Sequence, residues 1–162
     1  MDQEAFLELK FRPNVALISA VRRFISDCYQ EVFNDAETTS RIALATHELL
    51  ENGIRYSNHG ETTLRLSVSE AAAPRVVTIR VSNQASAEQI ERIRAVFREM
   101  DEHEDAFAHY QILMRRTMTR VDGSGLGLAR VRCESEMKVS CEINGSEVVI
   151  VGVTHAGSRM PT

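Results

Sequence analysis

Apolar and polar positions recur with two periods along this chain, and the changes of period mark its elements. Residues 5–11 (AFLELKF) hold Phe6, Leu9 and Phe11 in a short run that predicts a strand. Pro13 and Asn14 punctuate it. Asn14 is a suitable cap for a helix over 15–33, where Leu17, Ile18, Val21, Phe24, Ile25, Cys28 and Val32 return at helical spacing. Arg22 and Arg23 then read as the solvated face of that helix. Asn34 and Asp35 close it and cap a second helix, which Asn58, His59 and Gly60 end. Projected at about 100° per residue, the stretch 43–57 (ALATHELLENGIRYS) belongs to an apolar arc made by Ile42, Ala45, Leu49, Leu50, Ile54 and Tyr56.

The period then changes. Residues 62–70 and 75–82 alternate apolar and polar and predict two strands joined by a loop over 71–74. Val77, Ile79 and Val81 face the core, and Ser82, Asn83 and Gln84 emerge where the strand hands over to a loop. Helical spacing resumes over 87–101 through Ile90, Ile93, Val96, Phe97 and Met100. An acidic group (Glu99, Asp101, Glu102, Glu104, Asp105) reads as a solvated turn before another helix over 106–118. The sign of charge then reverses with Arg115, Arg116 and Arg120. A glycine-rich stretch follows at 123–129 (GSGLGLA) and opens a helical run to Glu136. Two strands, 138–143 and 147–154, flank Asn144-Gly145, a strong hairpin signal. Residues 155–162 read as a flexible tail. The whole is one α+β domain spanning 1–162, without internal repeats.

Composition narrows the picture. At 162 residues, 43% apolar and 26% charged, the chain has enough material for one substantial core. A net charge of −4 gives no footprint for nucleic acid or an anionic membrane. Asp2, Glu4 and Glu8 interrupt the first twenty residues, so neither a secretory signal nor a membrane span is expected and the location read from this is cytoplasmic. The three cysteines, Cys28, Cys133 and Cys141, lack C-x-x-C spacing and read as reduced thiols of the core.

Two places carry chemistry. Glu48 and Asn52 share a row, one turn apart, on the rim of the apolar arc. Burying a carboxylate there costs roughly several kcal/mol unless something compensates it. Arg41 or Arg55, on the same row, could do so as a plain ion pair. Gly53 lies inside the helical pattern, where glycine costs about 1 kcal/mol against alanine, so a close approach of another backbone or a ligand is expected there. The second place is Gly123-Ser124-Gly125-Leu126-Gly127. Unobstructed N–H groups at a helix start are a ready site for phosphate oxygens. The stretch is not a Walker A loop, since no Gly-Lys-Ser/Thr follows, and it lacks the initial strand of a Rossmann fingerprint.

On these residues the chain resembles the Bergerat-fold (GHKL) ATP-binding domain of gyrase, histidine kinases and the small anti-sigma-factor serine kinases of bacterial partner switching. The run Glu48-Leu-Leu-Glu-Asn52 resembles the family's N box, and Gly123–Leu128 its second glycine box. The absence of attached dimerisation helices points to the anti-sigma branch. The resemblance implies a two-layer α/β sandwich with a mixed, mostly antiparallel sheet and helices on one face. It implies ATP and Mg²⁺ as cofactors, Glu48 as general base and Asn52 as a Mg²⁺ ligand. Gly123, Ser124, Gly125, Leu126 and Gly127 would lie on the phosphates, with Arg120 as a γ-phosphate clamp and Arg115 and Arg116 as alternatives. The partners implied are a STAS-type anti-anti-sigma protein, whose serine takes the phosphate, and a sigma factor. Homodimers occur among the relatives, but no exposed stripe here demands one.

One box departs from the family. Where it has Asp followed by glycines to read adenine, this chain has Asn83-Gln-Ala85-Ser86. The Asn83 oxygen can still accept the adenine amino proton, but without the charge that makes such a bond about twice as strong. A degenerate module that binds partners without turnover is therefore the alternative. A third reading takes His47-Glu48-Leu49 as a phosphoacceptor histidine box, which needs an exposed histidine on a dimeric helical bundle.

Overall fold

The computed structural model describes residues 4–58, 60–69, 74–119 and 125–156. Their elements run in the order β1 (Glu4–Phe11), α1 (Val15–Phe33), α2 (Ala36–Arg55), β2 (Thr62–Ser69), β3 (Arg75–Gln84), α3 (Ala87–Asp101), α4 (Ala106–Thr119), α5 (Leu126–Glu134), β4 (Lys138–Asn144) and β5 (Glu147–Ala156). The strands form one sheet in the order β1-β2-β3-β5-β4. Each of its four pairings is antiparallel, so the sheet is antiparallel throughout where a mixed, mostly antiparallel one was expected. The architecture is α+β in two layers.

Strand alternation separates the two faces of the sheet. Leu64, Leu66, Val77, Ile79, Val81, Val148 and Ile150 point into the core, where Ile25, Tyr29, Ile42, Leu49, Leu50, Ile93 and Leu128 from the helices meet them. The opposite face carries ion pairs such as Arg65–Glu8 and Arg80–Glu142. Phe6 belongs to this outer face: it is 61% exposed and lies beneath the Arg65 guanidinium, 4.2 Å from its ring centroid. In β1 it is therefore Leu7 and Leu9, paired with Leu66 and Leu64, that turn inward.

The two long helices are set by their caps. Asn14 accepts the Leu17 N–H at 2.9 Å, and Asp35 accepts that of Thr38 at 3.0 Å. Between them Asn34 adopts φ +49°, the left-handed turn that ends α1. Val21, Ile25, Tyr29 and Phe33 bury one stripe of α1, whereas Phe24 and Val32, assigned to that stripe by spacing, are exposed. The Tyr29 hydroxyl lies 3.0 Å from that of Thr46, which in turn donates to the Ile42 carbonyl. Burial raises the Tyr29 pKa well above that of a free phenol.

Several boundaries move. β3 runs on to Gln84 and β5 to Ala156, because Asn83 and Gln84 pair with Val148 and Glu147, and Arg75 and Val76 pair with Ala156 and His155. The first two residues of the expected tail are thus strand. α2 ends at Arg55, ahead of the turn residues chosen as its stop, and α5 ends at Glu134. His59, Arg120, Gly123 and Ser124, most of the loop over 71–74 and the end of the tail lie outside the described residues. Among the described residues no helix is long and apolar enough to cross a membrane, and the three cysteines are free and partly buried.

Gly53 explains its own place in α2. A Cβ there would sit 2.5 Å from Val81 Cγ1 and 2.6 Å from Asn83 Oδ1, so only glycine lets β3 come this close. Overpacking costs about 1–3 kcal/mol, against a gain in helix propensity of about 1 kcal/mol. Gly53→Ala is therefore expected to lower the urea midpoint, and an unchanged or raised midpoint would show that β3 can move aside.

Candidate functional site

The site starts from the inner edge of α2. Ile42, Ala45, Leu49 and Leu50 are fully buried and fix the rotation of the helix about its axis. That rotation brings Glu48 and Asn52 to the boundary of the core, with Asn52 only 4% exposed. The Asn52 amide nitrogen donates to the Glu48 carbonyl at 2.8 Å, one turn back in the same helix. This bond orients the amide and leaves its Oδ1 without a protein donor among the described residues.

Helix α5 supplies the opposing wall. It begins at Gly125, whose φ of +84° is easy for glycine and whose position offers no side-chain cap, so the first-turn N–H groups have no side-chain acceptor among the described residues. Gly127, one residue into the helix, sits directly over the acid and amide of α2. A Cβ on it would be 2.5 Å from Glu48 Oε2 and 3.0 Å from Asn52 Nδ2. Of the glycine-rich stretch, Gly125, Leu126 and Gly127 are described, and Leu126 and Gly127 line a cavity with Glu48 and Asn52.

That cavity, about 300 Å³, is completed by Glu51, Arg55, Tyr110 and Arg130. Its size is at the lower end for small-ligand sites. Glu48 is compensated by an arginine that spacing along α2 could not reveal. Arg130 Nη1 approaches Glu48 Oε1 at 3.3 Å, while its Nε donates to Glu134 at 3.0 Å. The bond to Glu134, more than the nearby Glu48, raises the Arg130 pKa further and holds the guanidinium charged. Arg41, considered as the partner of Glu48, instead binds Glu136 and the carbonyls of Ser135 and His155. Arg55 lines the cavity without an ion pair to Glu48. A signal for Arg130 did exist: it lies three residues after Gly127 and so shares its helix face.

Asn83 lies elsewhere. As a residue of β3 it is 4% exposed, donates to the Thr62 hydroxyl at 2.6 Å and is not part of the cavity wall. Its Oδ1 is buried without a hydrogen-bond partner, beside Gly53. Ala85 is also packed away, its N–H donating to the Ser146 carbonyl at 2.8 Å. His47, from the phosphoacceptor reading, is half-buried in the α1–α2 pair, which packs onto the sheet and builds no separate bundle.

The arrangement can do two things chemically. A Lewis-acidic ion could take the Asn52 oxygen, and anionic oxygens could take the free N–H groups at the start of α5. The residues present therefore fit the phosphate end of a Mg²⁺–nucleotide. One feature carries that fit: the undonated oxygen of Asn52 on the cavity wall, whereas the place a Gly127 Cβ would take is already filled by Glu48 and Asn52.

No family model matches this chain, and no curated protein does. Among solved structures it is similar to a chain of the SiaB–SiaC complex from Pseudomonas aeruginosa. The identity is 13% and the TM-score 0.63, over 92% of this chain and 89% of the other. At that identity the likeness is one of fold.

Helix α4, which brings Tyr110 to the cavity, is anchored by His109. That ring is 1% exposed, stacks on His103 at 4.6 Å between centroids and has no hydrogen bond on either nitrogen. Burial, then the neighbouring His103, lowers its pKa, with Glu99 opposing in part. A histidine depressed in the folded state stabilises the fold above its unfolded pKa of about 6.5 and loses that contribution as pH falls through the folded value. Stability is thus expected to drop between pH 7 and 5, and His109→Phe should flatten that slope in urea melts. An equal slope in the variant would assign the pH dependence to other groups.

Proposed function

We propose that this chain is an ATP-binding regulatory serine kinase of the anti-sigma, partner-switching kind. It would pass the γ-phosphoryl group of ATP to a serine of a STAS-type partner and alternate between that partner and a sigma factor. The observation that supports this reading is the convergence of Glu48, Asn52 and Gly127, from two separate helices, on one cavity. The fold likeness to a chain of a two-protein complex is in keeping with work done through a protein partner.

Mg²⁺ and the triphosphate, when bound, supply an electrophilic phosphorus whose charge is partly neutralised. Asn52 offers its oxygen to the metal, with the amide orientation already set by the bond to the Glu48 carbonyl. The first-turn N–H groups of α5 would hold phosphate oxygens. Gly123, Ser124 and Arg120 extend this set on the basis of the sequence. Glu48 takes the proton from the attacking hydroxyl, and Arg130 keeps its carboxylate directed at the cavity.

A second reading has its own observation. Asn83 and Ala85 are tied by hydrogen bonds into the sheet and the adjoining turn and do not line this cavity, which favours a module that holds partners without turning nucleotide over. Thermal melts separate the two. At one hundred times Kd a ligand adds about 2.7 kcal/mol to stability, so Mg-ATP is expected to raise the melting temperature and Asn52→Ala to lose most of that rise. Wild-type protein that does not respond to millimolar Mg-ATP supports the binding module. For catalysis, Glu48→Gln should keep the thermal response and slow transfer to the partner by about 10²–10⁴-fold. Radiolabel transfer at the wild-type rate would remove Glu48 from the role of base.

A further inference from the structure

A second cavity, of about 420 Å³, lies in the groove between α1 and α2. Four of its lining residues, Ser19, Arg22, Arg23 and Ser26, are spaced three, four and seven apart and so share one face of α1. From α2 come Ala43, whose small side chain leaves room, Leu44 and His47.

Three features of this groove bear on what it could hold. First, Arg22 and Arg23 are exposed and make no ion pair or hydrogen bond with any described residue. Seven other arginines (Arg41, Arg65, Arg80, Arg92, Arg94, Arg116 and Arg130) each hold a carboxylate, while Arg12, Arg55, Arg98 and Arg115 hold none among the described residues; Arg22 and Arg23 differ from these in being adjacent on one cavity wall. Second, His47 is also unsatisfied. Its Nδ1 is buried without a hydrogen-bond partner, 4.0 Å from the Glu51 carboxylate. Third, the charge is concentrated against the sign of the whole molecule, which carries a net −4. The charged groups acting on His47 come from three elements: Arg22 on α1, Glu48 and Glu51 on α2, and Arg130 on α5.

We infer that this groove binds a phosphate-class oxyanion, held by Arg22 and Arg23 with Ser19, Ser26 and His47 as further donors. A carboxylate has only two oxygens, fewer than two guanidinium forks and an imidazole can serve. A phosphate monoester offers three acceptor oxygens and a charge of about −1.5 to −2. The bound group would lie one residue along α2 from Glu48 and one turn from Glu51, so occupancy would be felt by the helix that carries the candidate site. The inference rests on α1 and the outer row of α2 alone and does not need nucleotide in the other cavity.

His47 provides the readout. Burial, followed by the charge of Arg22, holds its pKa below the ordinary imidazole value, and an anion in the groove pushes it upward. The full chain is titrated at constant ionic strength with inorganic phosphate and, separately, with a short neutral peptide carrying one phosphoserine. Amide and imidazole resonances are followed by NMR. Saturable shifts centred on residues 19–26 and 43–47 are expected, with a rise in the His47 pKa. The Arg22→Ala/Arg23→Ala double variant, changed at exposed positions only, should keep its melting temperature and weaken binding at least about tenfold. Tighter binding of the peptide identifies a phosphorylated side chain as the ligand, and equal or tighter binding of phosphate identifies the free ion. Three results overturn the inference: no saturable shift with either probe, shifts centred on residues 125–130, or unchanged affinity in the double variant. A failed Mg-ATP melt would leave these outcomes as they are.

Discussion

The close approach of α5 to α2 at Gly127 is the contact on which the site depends. Helix axes joined by ordinary side chains stay roughly 8–10 Å apart, and here one position has none. Because Gly127 lacks a Cβ, the Glu48 carboxylate and the Asn52 amide can lie directly against the first turn of α5. Two features of opposite electrical character then share one cavity: an acid, and a set of N–H groups at the positive end of a helix. Arg130, on the next turn of α5, completes the join by pairing with Glu48. Arg132, further along, donates to the Met100 and Glu104 carbonyls and ties the same helix to the turn between α3 and α4.

Helix α2 consequently serves two layers at once. Its fully buried residues lock it to the sheet and to α1, and the polar groups one step round the helix are held in place by that packing. Gly53 extends the same logic to β3, where a strand approaches closer than any side chain allows. The Thr46 hydroxyl shows how polar groups are admitted to this core: it gives its proton to the Ile42 carbonyl and meets the Tyr29 hydroxyl, so no donor is stranded. The Asn83 oxygen is an exception, buried without a partner where β3 passes beside Gly53 of α2. An unmet buried acceptor costs about 1–3 kcal/mol, which makes this point of the fold one where a small rearrangement or a donating ligand would be favourable.

The fold was largely legible in the sequence because periodicity reports burial directly. The ten elements, the caps Asn14 and Asp35 and the Asn144-Gly145 hairpin follow from local residue types. The misreadings have local causes. In β1 an apolar residue type did not mark the face, since Phe6 lies on the outer side under Arg65 while Leu7 and Leu9 turn inward. The ends of β3 and β5 ran long because a ladder continues while a partner strand is present, whatever the polarity of Asn83, Gln84 and His155.

Of the site, the sequence by itself determined the two chemical ingredients: a carboxylate and amide one turn apart, and glycines opening a late helix. Each is a local pattern within a single element. Only tertiary structure decided that they face one another, that Arg130 and not Arg41 or Arg55 meets Glu48, and that Asn83 is a residue of the sheet bonded to Thr62. It also turned Arg22 and Arg23 from an ordinary solvated face into one wall of a groove shared with His47. The physical reason is the same in each case. Residue spacing specifies which side chains share a face, whereas the partner of a charge depends on which faces the packed core brings together.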